Sequence, residues 1–173
     1  MQPVHDLAWL NSLTAEVATR ELLQCCGSRR WAQQMSNDRP YSTLDALITH
    51  ADRLWWSLTP ADWLEAFRSH PKIGEKKASN NVSVQSQQWS GQEQAEVDNA
   101  SQQTADSLAA LNRDYEEKFG FIFIICATGK TSGEMLAALQ ERLQHDYDTE
   151  LRLAAGEQVK ITELRLKKLL TST

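Results

Sequence analysis

The chain has 173 residues, of which 41% are hydrophobic, and this is enough apolar material for one domain with a sizeable core. Its 18 basic and 23 acidic residues are interspersed and give a formal charge of -5, which argues against binding to nucleic acid or to an anionic membrane. No apolar run is long enough to cross a bilayer, and the first residues lack the pattern of a signal peptide. Together with three cysteines that are expected to stay reduced, this predicts a cytoplasmic protein.

The first part of the chain predicts three helices. Apolar residues recur at three- and four-residue steps from Leu7 to Cys26, which predicts one helix, or two with a break near Asn11. A second helix is expected between Gly27 and Arg39, because Gly27 ends the preceding helix and a proline follows Arg39. A third helix should start at Ser42, which has an acidic residue three positions later and is a good N-cap.

The fourth helix has a stronger start signal. Thr59 is a suitable N-cap, and Pro60 takes the first helical position, where its missing N–H costs no hydrogen bond. Since the residue before a proline is pushed out of the helical region, this helix should end at about Ser69 or His70. A polar segment without a hydrophobic period follows as far as Ser90, and a loop of this length is usually functional or disordered.

A long helix and an extended segment are predicted next. Ser90 and Glu93 have the spacing of a capping box, so the longest helix should start there and end at Gly120. The run from Phe121 to Cys126 is apolar, β-branched and aromatic, which is typical of a buried strand. No other stretch offers it a partner strand, so its main-chain groups need other partners, such as a planar ligand rich in amides. The alternatives are that the run begins another helix or pairs with side chains.

Two helices complete the chain. Thr131 and Glu134 form a second capping box, and the helix that follows should reach about Tyr147. The last helix is expected from Thr149 to about Leu170. The sequence therefore predicts an all-α fold: a single-domain bundle of seven to eight helices over residues 1–173, with one short extended apolar segment.

His70 and Glu93 flank the long polar segment and are the first candidates for chemistry. A histidine at a helix end either acts as an acid or base near neutral pH or merely caps helix carbonyls. Glu93 would normally bind the N–H of its own cap, while the same helix start offers N–H groups from Gly91 to Gln94 to an anionic or carbonyl ligand. No histidine stands at a metal-ligand spacing from another ligand, so no metal site is expected.

Arg165 stands out on a helical wheel of the last helix. It falls inside the apolar arc, between Ile161 and Leu169. The charged residues on the other side of the wheel are Glu157, Lys160, Glu163 and Lys167. A guanidinium that faces a core must find an anionic or carbonyl partner. Three roles are therefore open to Arg165: it forms a structural ion pair, its side chain reaches back to solvent, or it clamps a carboxylate ligand.

Two other patterns are weaker candidates. Gly129-Lys130-Thr131 resembles the end of a phosphate-binding loop, but that motif requires glycine where Ile124 stands, so a nucleotide site is not expected. The adjacent Cys25 and Cys26 lie in a helical apolar pattern, which favours core packing over nucleophilic catalysis.

Taken together, motifs along nearly the whole chain resemble those of the OHCU decarboxylase family, which acts on 2-oxo-4-hydroxy-4-carboxy-5-ureidoimidazoline (OHCU) in urate breakdown. Each motif alone is weak, but their order and separations are specific. They are Cys25-Cys26-Gly27-Ser28 with Trp31-Ala32 and Met35, Arg39-Pro40, Asp62-Trp63-Leu64-Glu65-Ala66-Phe67, His70-Pro71-Lys72-Ile73-Gly74, Ser90 with Glu93-Gln94, Asn112, Tyr115, Lys118-Phe119-Gly120-Phe121 with Phe123-Ile124, and Lys160-Ile161 with Leu164-Arg165-Leu166.

The resemblance implies an all-helical, cofactor-free enzyme, generally a homodimer, that converts OHCU to (S)-allantoin. By position, His70, Glu93 and Arg165 fall on the catalytic residues of the family. Its substrate-binding positions fall on Pro71, Ser90, Gly91, Gln92, Glu93, Gln94, Phe121, Ile122, Phe123, Ile124 and Ile125. The competing interpretation is a non-catalytic helical interaction module, in which the three catalytic candidates are a cap, a capping box and an ion pair.

Overall fold

Helices are the only regular elements in the computed structural model, which describes residues 5–74, 83–94 and 101–171. Over this part of the chain they are α1 (Leu7–Ser12), α2 (Ala15–Leu23), α3 (Arg29–Asn37), α4 (Leu44–Ser57), α5 (Pro60–Phe67), α6 (Val84–Glu93), α7 (Gln102–Phe119), α8 (Ser132–Arg142) and α9 (Tyr147–Thr171). The predicted all-α fold is confirmed, with eight described helices of at least seven residues and the shorter α1. None of these helices is long and apolar enough to cross a membrane.

Side-chain caps set where several helices start. Thr14 separates α1 from α2 by accepting a hydrogen bond from the N–H of Val17, so the first predicted helix is in fact two, with a break slightly later than expected. The predicted cap at Ser42 is wrong by one residue. Thr43 is the N-cap of α4, because its hydroxyl accepts from the N–H of Ala46 at 3.0 Å.

An aspartate between the last two helices caps the start of α9. The side chain of Asp146 accepts from the N–H of Thr149 at 2.7 Å, so α9 starts at Tyr147 instead of the predicted Thr149. The helix before it, α8, ends at Arg142 and not near Tyr147. Its predicted start is confirmed, since Thr131 caps the N–H of Glu134 at 3.1 Å.

The chain packs as two compact units. The terminal unit consists of the described residues of Met1–Ala66 and Val159–Thr173, and the central unit consists of those of Phe67–Gln158. The single domain expected from the sequence stays a prediction. Two helices contribute to both units: α5 ends in the first residue of the central unit, and α9 passes from the central unit into the terminal unit at Val159.

The terminal unit has an apolar core braced by indole hydrogen bonds. Trp31 Nε1 donates to the carbonyl oxygen of Ala51 at 3.2 Å, and Trp63 Nε1 donates to that of Trp55 at 3.0 Å, so these large rings bury their polar atoms with partners. The fully buried side chains of this core include Leu10, Leu22, Trp31, Met35, Leu47 and Leu166. Cys25 and Cys26 are buried thiols, which confirms that they pack in the core, but they lie beyond the end of α2 at Leu23 and not within the helix predicted to reach Cys26.

The central unit is built around aromatic side chains from α7 and from the chain that follows it. The ring of Tyr115 lies 4.7 Å from that of Phe119 and 5.4 Å from that of Phe123, centre to centre. Gly120 ends α7 in the left-handed region at φ 78°, where its N–H donates to the carbonyl oxygen of Glu116. That turn directs the chain from the helix into the predicted extended segment.

Candidate functional site

His70 lies three residues beyond the end of α5, which stops at Phe67 and not at the predicted Ser69 or His70. Its N–H donates to the carbonyl oxygen of Phe67 at 3.2 Å, so one further turn closes before Pro71, which is buried. The imidazole is half-buried, and its Nε2 lies 2.7 Å from Oε1 of Gln158, a fully buried residue of α9. The ring is thus held by α9 as well as by its own segment of chain.

The chain that follows the histidine is fixed by α6 and α7. The N–H of Gly74 donates to Oε1 of Gln94 at 3.0 Å, directly after α6. Nδ2 of the buried Asn112 donates to the carbonyl oxygen of Ile73 at 2.9 Å. The two ends of the long polar segment are therefore joined by a direct hydrogen bond.

The predicted capping box at Ser90 is wrong. Ser90 and Glu93 lie in the last turn of α6, whose N-cap is Ser83, and the N–H of Gln94 donates to the carbonyl oxygen of Ser90 at 3.1 Å. The turn from Gly91 to Gln94 is consequently the carboxyl end of a helix, so the expected cradle of N–H groups and the favourable dipole are absent from it.

The reason for this error lies in the composition of α6. The helix is polar on most of its surface, with Ser86, Trp89 and Ser90 as its buried residues, so it gives almost no hydrophobic period. The long helix begins later than expected, at Gln102 with Ser101 as its N-cap. The expected helical positions Val97 and Ala100 lie outside the described residues.

The run from Phe121 to Ile125 is confirmed as a non-helical segment, and it pairs with no strand in the part of the chain that the structure describes. Its side chains are buried except for that of Ile122, which is half-buried. Arg142 Nη1 donates to the carbonyl oxygen of Ile124 at 2.5 Å. Across the described ranges, the main-chain groups of Ile122, Phe123 and Ile125 form no hydrogen bond within the protein, and such groups suit a ligand with amide donors and acceptors.

Two carboxylates lie near the end of this segment. The N–H of Cys126 donates to Oε1 of Glu157, on α9, at 3.3 Å. Burial raises the pKa of the Cys126 thiol, and the negative charges of Glu157 and Glu93 raise that pKa further. His70, the last turn of α6 and the 121–125 segment all belong to the central unit.

Arg165 belongs to the terminal unit. Its side chain is buried, with 3% of the residue's surface exposed, which confirms the position that the helical wheel gives it. Its Nη1 donates to the carbonyl oxygen of Gln24 at 3.2 Å, and its charge lowers the pKa of Cys26 against the larger effect of burial, which leaves that pKa at about 12. The requirement for a carbonyl or anionic partner is met in part by this main-chain oxygen.

Sequence reasoning missed several buried polar residues of α9. The wheel places Glu157 on the polar side, yet it is 7% exposed, and it lies next to Ile161 at the edge of the apolar arc. Gln158 was overlooked, although it falls inside the arc, seven positions before Arg165. The signal that singles out Arg165, a polar residue at an apolar position, could have found Gln158 too.

A cavity of about 260 Å³ lies in the terminal unit, and the residues that line it include none of the predicted site residues. It is lined by Trp31, Ile48, Thr49, Ala51, Asp52, Trp55, Val159, Thr162, Glu163 and Leu166. This cavity is a weaker candidate than the contacts around His70, because its two carboxylates, those of Asp52 and Glu163, pair with Trp56 and Lys167 on their own helices. Within the described ranges, no three His, Cys, Asp or Glu side chains are grouped so that they could hold a metal ion.

Comparison with known proteins gives a consistent result. The sequence model of the OHCU decarboxylase family matches residues 11–167. The chain is 40% identical over 157 residues to the Arabidopsis thaliana uric acid degradation bifunctional protein TTL, covering 91% of this chain and 48% of that protein. It is 30% identical to the 2-oxo-4-hydroxy-4-carboxy-5-ureidoimidazoline decarboxylase of Haloferax volcanii, covering 82% of this chain and 81% of the archaeal protein.

A solved structure agrees with the sequence match. The crystal structure of an OHCU decarboxylase in the presence of (S)-allantoin superposes with a TM-score of 0.76 at 40% identity, covering 88% of this chain and 98% of that one. The chain thus spans about half the length of the bifunctional plant protein and nearly the whole of the solved enzyme. With a family match over residues 11–167 and a matching fold, the chain belongs to the OHCU decarboxylase family.

Proposed function

We propose that this chain decarboxylates OHCU to (S)-allantoin in urate degradation. The observation that carries the proposal is the family match over residues 11–167, which includes every residue predicted for the site. It is supported by the central unit, in which His70 and the last turn of α6 are joined through the Gly74–Gln94 hydrogen bond.

The reaction requires a proton and a held substrate, and no metal or organic cofactor is expected. The bond between the ring carbon and the carboxylate breaks, CO₂ leaves, and its electron pair passes into the adjacent C=N unit of the ring. Delivery of one proton to one face of the ring then sets the hand of the allantoin. In our proposal His70 supplies this proton, Glu93 holds the hydroxyl or a ring N–H, and Arg165 orients the substrate before CO₂ leaves.

We assign substrate binding to the positions that the family resemblance indicates. These are Pro71, the turn from Ser90 to Gln94, and the main chain from Phe121 to Ile125. Support comes from the main-chain groups of Ile122, Phe123 and Ile125, which form no hydrogen bond within the described parts of the protein and match the amide character of OHCU. Ser90 and Gln94 lie at the carboxyl end of α6, so their share in binding would come from side chains and carbonyl oxygens.

A coupled assay tests the function. Urate is oxidised by urate oxidase in the presence of hydroxyisourate hydrolase, and the products are followed by circular dichroism with and without this protein. We expect the protein to accelerate the appearance of one-handed allantoin. An unchanged rate would favour the non-catalytic interaction module.

The same assay tests the catalytic residues. His70→Ala, Glu93→Ala and Arg165→Ala should each lower the decarboxylation rate at least about a hundredfold, the scale for losing a general acid or base, while far-UV circular dichroism stays unchanged. Arg152→Ala and Glu117→Ala are matched controls, because both side chains are exposed. A variant of the three that kept the wild-type rate would remove that residue from the mechanism.

The proposal includes a homodimer in the cytoplasm that folds as one domain. The buried thiols of Cys25, Cys26 and Cys126 are consistent with a reducing compartment. Size-exclusion chromatography with light scattering should give the mass of two chains, and the mass of one chain would contradict the dimer. A single calorimetric unfolding transition is expected of one domain.

A further inference from the structure

The side chain of Gln158 forms a long-range contact with the proposed catalytic histidine. Its Oε1 lies 2.7 Å from Nε2 of His70, 88 positions away in the chain, and the residue is 0% exposed. A buried amide is costly unless it is hydrogen-bonded, and here one of its bonds goes to a half-buried imidazole. Gln158 comes from the interior of α9, a rigid element, and not from a loop.

This contact determines which ring nitrogen carries a proton. A carbonyl oxygen only accepts hydrogen bonds, so Nε2 of His70 must be the donor. In a neutral imidazole one nitrogen carries the hydrogen and the other has the basic lone pair. With the hydrogen on Nε2, the basic atom of the ring is Nδ1.

We propose that Gln158 is a positioning residue that holds His70 in the Nε2–H tautomer, so that Nδ1 is the atom that takes up and returns the proton of the reaction. The catalytic part of this inference rests on the proposed function. The tautomer itself does not, because it follows from the contact between the two side chains.

The surroundings of the pair favour a positioning role. Pro71 follows the histidine directly and is buried, so the main chain beside the ring has little freedom. The charged groups closest along the chain are Arg68 and Lys72, each two positions from His70, and Glu157 and Lys160, one and two positions from Gln158. Lys72 pairs with Glu116 at 2.8 Å. Gln158 itself contributes a neutral acceptor, which orients the imidazole without fixing a charge on it.

Nitrogen-15 NMR of the histidine rings tests the tautomer directly in the wild-type protein. At a pH where the ring is neutral, we expect the shifts of a protonated Nε2 and an unprotonated Nδ1 for His70, assigned with His70→Gln. Wild-type shifts of the opposite tautomer would overturn the proposal, whatever the enzymatic activity.

Two substitutions extend the test. Gln158→Met keeps the size but removes the acceptor, so the two tautomers of His70 should become mixed. Gln158→Glu places a carboxylate against Nε2, which should raise the pKa of His70 by about one to two units. Gln140→Glu, an exposed site on α8, is the matched control and should leave that pKa unchanged. Unaltered tautomer and pKa in both Gln158 variants would contradict the inference.

The kinetic readout separates positioning from general support of the fold. We expect kcat of Gln158→Met to fall at least about tenfold with KM changed little, the pattern of a misplaced catalytic group. In Gln158→Glu the pH–rate profile should move upward by the same amount as the pKa of His70. If the wild-type enzyme is active and Gln158→Met is equally active, Gln158 does not position His70 for the proton transfer, and the catalytic part of the inference is overturned. An inactive wild type with the expected tautomer would instead refute the proposed function.

Discussion

Two groups of buried polar side chains lie on α9 within the central unit, seven positions apart. In the first, Glu150 is 0% exposed and bonds to Arg142 Nε at 2.5 Å, to the hydroxyl of Tyr115 at 2.5 Å and to His145 Nδ1 at 3.0 Å. In the second, Glu157 accepts from the N–H of Cys126. Its neighbour Gln158 belongs to the same group and contacts His70.

The two groups differ in what their partners can do. The partners of Glu150 come from α7, α8 and the turn before α9, and a buried charge there meets an opposite charge. The partners of the second group are the end of the extended segment and the proposed catalytic histidine. One helix therefore carries a group that we expect to stabilise the fold and, two turns later, a group that we expect to serve the reaction.

The largest loss of stability should come from replacing Arg142, the arginine of the first group. Arg142→Met leaves Glu150 as a buried charge without its guanidinium, and we expect a loss of about 3–5 kcal/mol in the free energy of unfolding. Urea denaturation followed by circular dichroism measures this. Arg152→Met, at an exposed site on α9, should stay within about 0.5 kcal/mol of the wild type. A similarly small loss for Arg142→Met would mean that the Glu150 group does not stabilise the fold.

A smaller effect is expected from removing one hydroxyl of the same group. Burial raises the pKa of Tyr115, so its hydroxyl stays protonated and donates to Glu150. Tyr115→Phe should therefore cost about 1.5–3 kcal/mol, the range for a hydrogen bond to a charged group. Tyr147→Phe is the matched control, since Tyr147 is 45% exposed and should tolerate the change. Equal unfolding midpoints for the two variants would contradict this role of the hydroxyl.

The smallest predicted effect is electrostatic and concerns the second group. The charge of Glu157 raises the pKa of the Cys126 thiol, so Glu157→Gln should lower it and increase the thiolate fraction near pH 8. Because the thiolate is the reacting form, labelling by iodoacetamide should become faster in Glu157→Gln. Glu117→Gln, at an exposed site, should leave the rate unchanged. Slower labelling in Glu157→Gln would show that its carboxylate does not act on this thiol.

Local signals in the sequence predicted several structural features correctly. Thr131 caps α8 at the predicted position by accepting from the N–H of Glu134. Arg165 is buried, as its place in the apolar period of α9 predicts. The segment from Phe121 to Cys126 is non-helical and pairs with no strand in the described chain, as expected from an apolar run without a second strand. Each of these follows from neighbours within a few residues or from a single helical period.

Features that depend on distant partners could not be predicted. Ser90 and Glu93 have the spacing of a capping box but lie inside a helix that is too polar to show a period. Glu157 is buried because of what packs against α9, and the contact from Gln158 to His70 joins positions 88 residues apart. The sequence pointed to His70, Glu93 and Arg165 by their positions and by family resemblance, and the apolar arc of α9 includes Gln158, but the contact that joins Gln158 to His70 depends on the tertiary fold.

The central claim, catalysis by this chain through His70, is tested most directly by one rate. OHCU generated from urate should convert to one-handed allantoin faster with the wild-type protein than without it, as followed by circular dichroism. His70→Ala, folded by the same spectroscopy, should retain no more than about a hundredth of that acceleration. Full acceleration by His70→Ala, or none by the wild type, would contradict the account.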